Sequence, residues 1–541
     1  MIRRLWSNPV SLLLLATALF TFLIQSGEMG TADTARRLQV THSLWTGEPQ
    51  VLPDDYPDFG IHGRHGALYA WYGIGQSLLM LPADVVGTAA SHLPIWRHYV
   101  RSRATPSIRD IAVSVSTNIL LNVLTALVAF RFLGLLGFSL GESIAGTLAL
   151  LCGTTHLHYA QNMQENNYIF LLTLTGLGLQ YRWLRTGDRR SLLLGAGALG
   201  LNLLTRLTTA LDIIAVAWFL VLVGIFSRDR PELRKRLAAG TCLTYLKTTV
   251  PVYAVFLFLD RLYQFVRFGS WTNTYMRLQT QEQRRWDPSL PANFPFSGHF
   301  FQGDIYSGIL GPLLSPQKSI FVFDPLFPLA LLLTVVLWKR LGPQLRAFAV
   351  ASLTLLAMYM VLYARYFTWA GDSAWGDRYI SSAVEMAALL AVALLVRYRR
   401  ELGRAVWSCG LAVVAVSVAI QVASLAFWLP LELYQMENVG RSAWTIPLRF
   451  RNIADFAMGR PLPMGIDLPG AVTDPWDAMH IHTWNFMPAL MHKVGVAPLW
   501  AVHWLDGVWM IAGAALVFVL VRLFRLAFWQ ARTAAGQGAR A

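Results

Sequence analysis

Long apolar stretches, separated by shorter polar segments, recur along the whole chain. Each stretch approaches the ~20 residues that an α-helix needs to cross a bilayer. They lie near residues 9–26, 111–132, 142–157, 168–184, 190–206, 209–226, 238–259, 319–338, 346–364, 380–396, 405–428 and 500–524. The pattern therefore predicts an all-α polytopic membrane protein of about 12 transmembrane helices.

The composition agrees with a membrane protein and argues against a nucleic-acid partner. Only 14% of the 541 residues are charged and 55% are hydrophobic, whereas about a quarter of the residues in a soluble domain are charged. The net charge of +15 comes from Lys and Arg in short clusters between apolar stretches, where such residues mark cytoplasmic loops. Cys152, Cys242 and Cys409 lie in or beside apolar stretches, so they indicate neither a disulfide framework nor a metal site.

The basic clusters predict which face of the membrane each loop occupies. No clean cleavage site follows the first apolar run, so we interpret it as a helix whose N-terminus is inside. Alternating sides from there places basic segments in the cytoplasm, as the positive-inside rule requires. These segments are 182–190, 228–236, 339–346, 397–404 and 522–532. The long loops at 27–110, 260–318, 365–379 and 429–499 then share the outer face.

Residues 73–90 are apolar enough to span, but counting them as a span would reverse every later loop. We expect them to form a juxtamembrane or re-entrant helix, which is tolerated where it is buried in protein. This choice leaves Arg97, Arg101, Arg103 and Arg109 outside.

The domain organisation predicted from this topology is one membrane domain with loop insertions. Residues 1–428 would form the transmembrane module, which includes the first outer loop at 27–110. Residues 429–499 would form an outer-face region. Residues 500–541 would supply the last transmembrane helix and a basic cytoplasmic tail.

Two carboxylates open the first outer loop, Glu28 and Asp33. Leu38, Leu44 and Trp45 could form the apolar side of a helix lying on the membrane after them. A carboxylate in this position could act as a general base toward a hydroxyl that arrives from the outer side. Asp33 is equally suited to cap that helix, because Asp is a favoured N-cap residue. Capping and catalysis are compatible.

Several motifs occur in a fixed order along the chain. In the first loop, Tyr69-Ala70-Trp71-Tyr72-Gly73-Ile74-Gly75 and then Leu78-Leu79-Met80-Leu81-Pro82 are similar to the pattern Tyr-Ser-x-Tyr-Gly-x-Gly followed by Leu-Leu-x-Leu-Pro. Two later motifs are the run from Gly308 to Pro325, and Trp369 with Trp375-Gly376-Asp377-Arg378-Tyr379; His158-Tyr159-Ala160 and residues 195–206 fit the same pattern. In these motifs the chain resembles bacterial glycosyltransferases of the GT-C superfamily, relatives of the protein O-mannosyltransferases and lipid A aminoarabinose transferases. The resemblance covers roughly residues 1–400.

The resemblance implies a GT-C-like fold with long outer-face loops and juxtamembrane helices. It implies an inverting transferase that moves a sugar from a polyprenyl-phosphate (or diphosphate) carrier to a lipid, glycan or protein acceptor. The enzyme would contact membrane lipids as a multi-pass protein of the bacterial cell inner membrane, with its active site on the outer, periplasmic face. The catalytic base would correspond to Asp33 or to Glu28, and a second acid to Glu165. No cofactor is predicted, and a requirement for a divalent cation stays open.

A departing lipid phosphate needs cations or hydrogen-bond donors, and the planar fork of Arg binds oxyanions in a bidentate way. Arg378, Lys318 and Arg206 lie at the ends of apolar stretches, where they are candidates for this role. Each could instead be an ordinary residue that snorkels to the membrane surface. Residues Arg64, Tyr72 and Asp377 of the same motifs complete the predicted substrate site.

Two other classes of protein compete with the glycosyltransferase hypothesis, and a metal site in the last outer loop is a further hypothesis. A transporter or flippase of an amphiphilic lipid would place charged residues near the middle of several spans and contain inverted repeats. An inert scaffold would have neither Glu28 nor Asp33 facing a cavity. A metal site at Asp474, Asp477, His480 and His482 is chemically reasonable, but a solvated loop is the better interpretation.

Overall fold

The computed structural model describes residues 6–52, 60–96, 106–163, 165–227, 239–286, 288–289, 303–371, 374–428, 431–463, 483–494 and 499–538. Helices dominate these residues, as predicted. In the first half of the chain they are α1 (Pro9–Ile24), α2 (Ala32–Thr46), α3 (Gly75–Ser91), α4 (Ile108–Leu135), α5 (Leu140–Gly153), α6 (His156–Asn162), α7 (Glu165–Thr186), α8 (Arg189–Leu203), α9 (Ala210–Phe226), α10 (Ala239–Phe268) and α11 (Tyr275–Trp286).

The second half of the chain continues the same architecture. Its helices are α12 (Ile305–Leu314), α13 (Ile320–Phe323), α14 (Leu326–Val336), α15 (Pro343–Tyr363), α16 (Ser381–Ala388), α17 (Leu390–Arg397), α18 (Arg399–Ser424), α19 (Leu431–Val439), α20 (Thr445–Ala457), α21 (Met487–Val494) and α22 (Leu499–Gly538). The sheet in the described residues is a two-stranded antiparallel hairpin of β1 (Gly60–His62) and β2 (Leu68–Ala70).

Six helical segments among the described residues are long and apolar enough to cross a membrane, which makes this a multi-pass membrane protein. They are Ile108–Leu135, Leu207–Phe226, Thr241–Phe268, Pro343–Tyr363, Arg399–Ser424 and Trp500–Ala527. Shorter apolar helices, such as the 11-residue α14, rise only ~16 Å and fall short of the ~30 Å hydrocarbon layer. The expected total of about 12 spans therefore stays a prediction.

The predicted span at 319–338 is not one helix. It breaks between α13 and α14 at Asp324-Pro325, because proline has no backbone N–H to continue the helix. The Asp324 carboxylate, at this break, accepts a hydrogen bond of 2.7 Å from the backbone N–H of Thr155. The break thus fixes α14 to the junction of α5 and α6.

Local sequence signals explain where the long helices begin and how they pack. Ser107 and Asp110 form a capping box at the start of α4, and Ser139 and Glu142 form another at α5. An aromatic core joins α4, α9 and α15. In it, the Phe348 ring packs edge-to-face against Phe132 and Phe219, with ring centres 5.1 Å and 6.2 Å apart.

The first outer loop folds back onto the helical bundle. Helix α3, in the segment expected to be juxtamembrane or re-entrant, packs along α4 and α2. Its buried Asp84 accepts hydrogen bonds from His42 at 2.9 Å and Trp45 at 2.8 Å, both on α2. These bonds tie the two helices of the loop together, whereas the position of α3 relative to the bilayer stays a prediction.

Candidate functional site

Asp33 lies in the first turn of α2 but does not cap it. Thr31 is the N-cap residue, and its hydroxyl accepts a hydrogen bond from the Thr34 backbone N–H at 3.2 Å. The capping interpretation of Asp33 is therefore wrong, because the helix begins two residues earlier and a threonine already satisfies its exposed donor. The carboxylate is left to interact with other parts of the chain.

The start of α2 is seated against the junction of α6 and α7. Gly30 has a φ of +79°, and a Cβ at this position would lie 2.4 Å from the Asn162 Cα, so only glycine allows this approach. The Met163 carbonyl then accepts hydrogen bonds from Thr34 at 3.1 Å and from Gln76 of α3 at 2.9 Å. These contacts bring α2 close to the beginning of α7.

Both oxygens of the Asp33 carboxylate have partners. Its Oδ2 lies 3.1 Å from a guanidinium nitrogen of Arg378, and its Oδ1 accepts a hydrogen bond of 2.7 Å from the Tyr72 hydroxyl. Burial acts to raise the pKa of Asp33, but Arg378, Arg37 and the Tyr72 hydrogen bond outweigh it, so the pKa lies below its usual value. Asp33 is therefore ionised at neutral pH.

A second carboxylate, Glu165, stands beside the first. It is the first residue of α7, it is buried, and its two oxygens pair separately with Arg37 and Arg206. Arg37 also stacks over the Tyr72 ring, with its guanidinium carbon 4.4 Å from the ring centre. Three guanidinium groups thus surround two carboxylates, which leaves one net positive charge.

A small cleft opens next to this ion-pair cluster. Its empty volume, with the open solvent at its mouth included, is about 270 Å³, and its lining residues are Asn166, Ile169, Arg206, Thr208, Thr209, Tyr359, Arg378, Tyr379 and Ser382. Arg206 and Arg378 lie over the Tyr379 ring, with guanidinium carbons 5.4 Å and 5.2 Å from its centre. Two cations, several hydroxyl groups and the Asn166 amide therefore line one cleft, a set of donors suited to an oxyanion.

The segment that carries Arg378 is held in a defined conformation. The Asn166 amide donates a hydrogen bond of 2.6 Å to the Arg378 carbonyl, next to the first turn of α7. Gly371 has a φ of +71°, and a Cβ there would lie 2.6 Å from the Arg378 Cγ. Both contacts direct the arginine side chain toward Asp33 and the cleft.

The remaining predicted site residues lie outside this cluster. The buried Lys318 donates hydrogen bonds to the carbonyls of Ala374 at 2.5 Å and Gly376 at 3.2 Å, on the backbone just before Arg378. Asp377 is buried beside it and accepts a hydrogen bond of 3.1 Å from the Tyr379 backbone N–H, and burial raises the pKa of its carboxyl. These two residues support the segment instead of lining the cleft.

Arg64 and Glu28 were also predicted site residues, and their observed contacts are with other parts of the chain. Arg64 lies between the two hairpin strands with its guanidinium carbon 4.3 Å from the centre of the Phe265 ring of α10. Glu28 is buried in the turn before α2, and its backbone N–H donates to the Ser26 hydroxyl at 3.3 Å. The carboxylate seen in contact with Arg378 is that of Asp33.

Sequence reasoning overlooked Arg37, which pairs with Glu165 and lowers the pKa of Asp33. It follows Asp33 by four residues, and residues at this spacing lie on the same face of a helix. Once α2 was expected and Asp33 was a candidate base, that spacing would have placed Arg37 in the site. The contribution of Asn166 had no comparable signal, because its hydrogen bond is to a backbone carbonyl.

Within the part of the chain that the structure describes, no group of three His, Cys, Asp or Glu residues could hold a metal ion. The candidate at Asp474, Asp477, His480 and His482 lies outside the described residues.

Fold and site together define a multi-pass helical membrane protein with an ion-paired carboxylate cluster beside an arginine-lined cleft. No protein-family model matches the chain, and no curated protein matches it. Among solved structures, the fold is similar to the crystal structure of the Archaeoglobus fulgidus oligosaccharyltransferase in the apo form, with a TM-score of 0.42 and 11% identity. The alignment covers 86% of this chain, which spans 61% of the length of that structure.

Proposed function

We propose that this protein is an inverting glycosyltransferase that moves a sugar from a polyprenyl-phosphate carrier to an acceptor hydroxyl on the outer face of the membrane. The observation that carries the proposal is the contact between Asp33 and Arg378 at the edge of the cleft, at 3.1 Å. It places a carboxylate that can accept a proton next to a cation that can receive a phosphate.

Asp33 is the general base in this proposal. Its carboxylate takes the proton of the acceptor hydroxyl while that oxygen forms a bond to the anomeric carbon of the sugar. The bond from the anomeric carbon to the phosphate oxygen breaks, and its electron pair leaves with the lipid phosphate. Arg378 and Arg206, which line the same cleft, stabilise the charge on that phosphate. Glu165 holds Arg206 and Arg37 in place through its two ion pairs.

Donor binding would also activate the base. In the unliganded site, Arg378 is paired with Asp33, and this pairing lowers the pKa of the carboxylate and makes it a weak base. A phosphate that takes over the Arg378 guanidinium withdraws this stabilisation, so the proton affinity of Asp33 rises. Asp33 would therefore become an effective base only when the donor is present.

The finer details of the proposal follow from the sequence motifs. The protein would work in a bacterial cell inner membrane as part of cell-envelope assembly, with a lipid, glycan or protein acceptor and without a nucleotide-sugar site. Lys318 and Asp377 would support the arginine-bearing segment, and Tyr72 would orient Asp33. The proposed reaction needs no cofactor, and adding EDTA or Mg²⁺ to the assay tests whether a divalent cation takes part.

The test is transfer of radiolabelled sugar from polyprenyl-phosphate carriers to membrane lipid extracts by the purified protein. Wild type, Asp33→Asn and Glu28→Gln form the comparison, because the two variants remove one candidate carboxylate each. Transfer by wild type and Glu28→Gln, with loss in Asp33→Asn, is the expected result. The opposite pattern would transfer the role of base to Glu28.

A lipid transporter or flippase is the second candidate, and one feature favours it. A buried polar chain runs from Asn122 through His156 and Glu385 to Thr155, with contacts of 2.9 Å, 3.3 Å and 3.3 Å. Ionisable groups that are buried inside a membrane protein often line proton or substrate pathways. If wild type transfers no sugar across a broad panel of carriers and acceptors but moves a fluorescent polyprenyl phosphate across proteoliposomes, the transporter replaces the transferase.

A further inference from the structure

Trp375 occupies the centre of the segment that leads to Arg378, three residues away in the chain. The ring is 2% exposed, and its indole N–H has no hydrogen-bond acceptor among the described residues. It contacts Phe323 edge-to-face at 5.0 Å and stacks on His158 at 5.9 Å. The contacts that fix this ring are therefore those of its faces and edges.

The backbone around Trp375 is held as firmly as the ring. Its own carbonyl accepts a hydrogen bond of 2.9 Å from the Tyr159 hydroxyl, and the carbonyls on either side, of Ala374 and Gly376, accept from Lys318. Three successive carbonyls thus have donors from the core of the bundle. Displacing the ring would strain all of these bonds and shift the following residues.

Arg449 of α20 completes this enclosure from a distant part of the chain. Its guanidinium carbon lies 5.2 Å from the centre of the Trp375 ring. The same group pairs with Glu432 of α19 through two nitrogens, at 2.7 Å and 2.5 Å, and donates to the carbonyls of Ser424 and Phe427 at the end of α18, at 3.2 Å and 3.1 Å. It is fully buried, and its partners hold its plane in one orientation.

We propose that Arg449 is a positioning residue for the transfer reaction, and that it acts through Trp375 to hold Arg378 at the cleft. The helices α19 and α20 would then set the geometry of the donor site, although neither lines it. The inference rests on the proposed function for its consequence in catalysis, but the mechanical coupling between Arg449 and the Arg378 segment stands independently of the substrate.

The central variant is Arg449→Lys, which keeps the charge opposite Glu432 but loses the planar group over Trp375. Asn452→Ala is the matched control. Asn452 is also buried and donates to Glu432 at 2.8 Å, so its loss disturbs the same ion pair while leaving the contact with Trp375 in place. Trp375→Leu removes the ring itself, and the double variant Arg449→Lys/Trp375→Leu tests whether the two residues act along one path.

Two measurements are made on each variant in lipid nanodiscs. Hydrogen exchange by mass spectrometry reports local opening of residues 374–380 without any substrate. Binding of farnesyl phosphate reports the donor site. We expect roughly tenfold faster exchange and roughly tenfold weaker binding in Arg449→Lys, since small displacements of a binding group have effects of at least this size. Asn452→Ala should change neither the exchange rate nor the affinity by more than about twofold. The double variant Arg449→Lys/Trp375→Leu should show the same exchange and binding as Trp375→Leu alone.

The outcomes separate the inference from the proposed function. Unchanged exchange in Arg449→Lys overturns the inference, and so does a further loss of binding in the double variant. Faster exchange with no farnesyl phosphate binding even by wild type supports the coupling and overturns the proposed donor. If Arg449→Lys does not fold, Trp375→Leu decides, and unchanged exchange at residues 376–380 then overturns the inference.

Discussion

Two arginine–carboxylate pairs, Arg378–Asp33 and Arg449–Glu432, have different surroundings. In the first, the side chains are 15% and 27% exposed and the arginine faces a cleft. In the second, they are 0% and 2% exposed, and backbone carbonyls occupy further donors of the arginine. The first pair lies beside the cleft in which the proposed donor phosphate would replace its carboxylate, whereas the second pair is enclosed by protein.

The comparison shows that an Arg–carboxylate pair can take part in a reaction where it lies beside a cleft, or stabilise the fold where it is buried. A buried pair is costly to form and more costly to break, because the surviving charge is left without water or partner. A pair beside a cleft loses less when its partner is removed, because solvent or ligand can replace it. We therefore expect removal of the arginine charge to act mainly on activity at the first pair and mainly on folding stability at the second. The charge-conserving Arg449→Lys is the variant that tests positioning.

The largest expected effect is on transfer in Asp33→Asn. Loss of a general base lowers rates by about 10² to 10⁴, and the amide cannot take the acceptor proton. We expect the purified variant to remain folded, with a thermal unfolding temperature close to that of wild type, because Asn still accepts the Tyr72 hydrogen bond. A rate within about threefold of wild type, where a catalytic base would give the far larger loss above, would remove Asp33 from the mechanism.

The next effect separates the two pairs by stability. Arg449→Met leaves Glu432 buried without a counter-charge, which costs about 3–5 kcal/mol. Arg378→Met should cost only about 1 kcal/mol or less, because its partner is partly exposed. Thermal unfolding in detergent measures both, and Arg449→Met/Glu432→Leu should recover much of the loss. Equal destabilisation by the two single variants would contradict the distinction between the pairs.

The sequence alone accounts for much of the helical architecture and for part of the site. The apolar stretches at 111–132 and 346–364 became α4 and α15 with nearly the predicted bounds, because an uninterrupted apolar run has one low-energy state in a bilayer. The run at 319–338 did not, because hydropathy averages over Pro325 and cannot show that Asp324 has a partner 169 residues away.

The site shows the same limit at the level of single residues. Asp33, Tyr72, Glu165, Arg206 and Arg378 were named from motifs, and the structure brings them together. Lys318 was named by the same reasoning, yet it donates to backbone carbonyls. Nothing in the sequence distinguishes an Arg that faces a cleft from a Lys that supports a loop, because the difference lies in the path of the backbone between them.

A smaller effect is expected in Arg378→Lys. Lysine keeps the positive charge but lacks the planar fork that can contact a phosphate through two N–H groups. We expect the KM for the polyprenyl-phosphate donor to rise roughly tenfold, measured at saturating acceptor. Arg451→Lys on the exposed face of α20 is the control, since its side chain is 60% exposed and its partner is Asp455 on the same helix. A donor KM that rises equally in both variants would mean that Arg378 contributes only general charge.

The smallest effect is a shift in pH dependence in Tyr72→Phe. The Tyr72 hydroxyl hydrogen bond helps to lower the pKa of Asp33, so removing it raises that pKa. A base must be deprotonated to act, so the rate rises with pH through the pKa of Asp33, and the acidic limb of the profile should move to higher pH. The limb is measured in kcat/KM for the acceptor, with Tyr306→Phe, an exposed tyrosine of α12, as the control. A limb that moves to lower pH would show that the Tyr72 hydroxyl stabilises protonated Asp33, and the carboxylate would then be a poor candidate for the base.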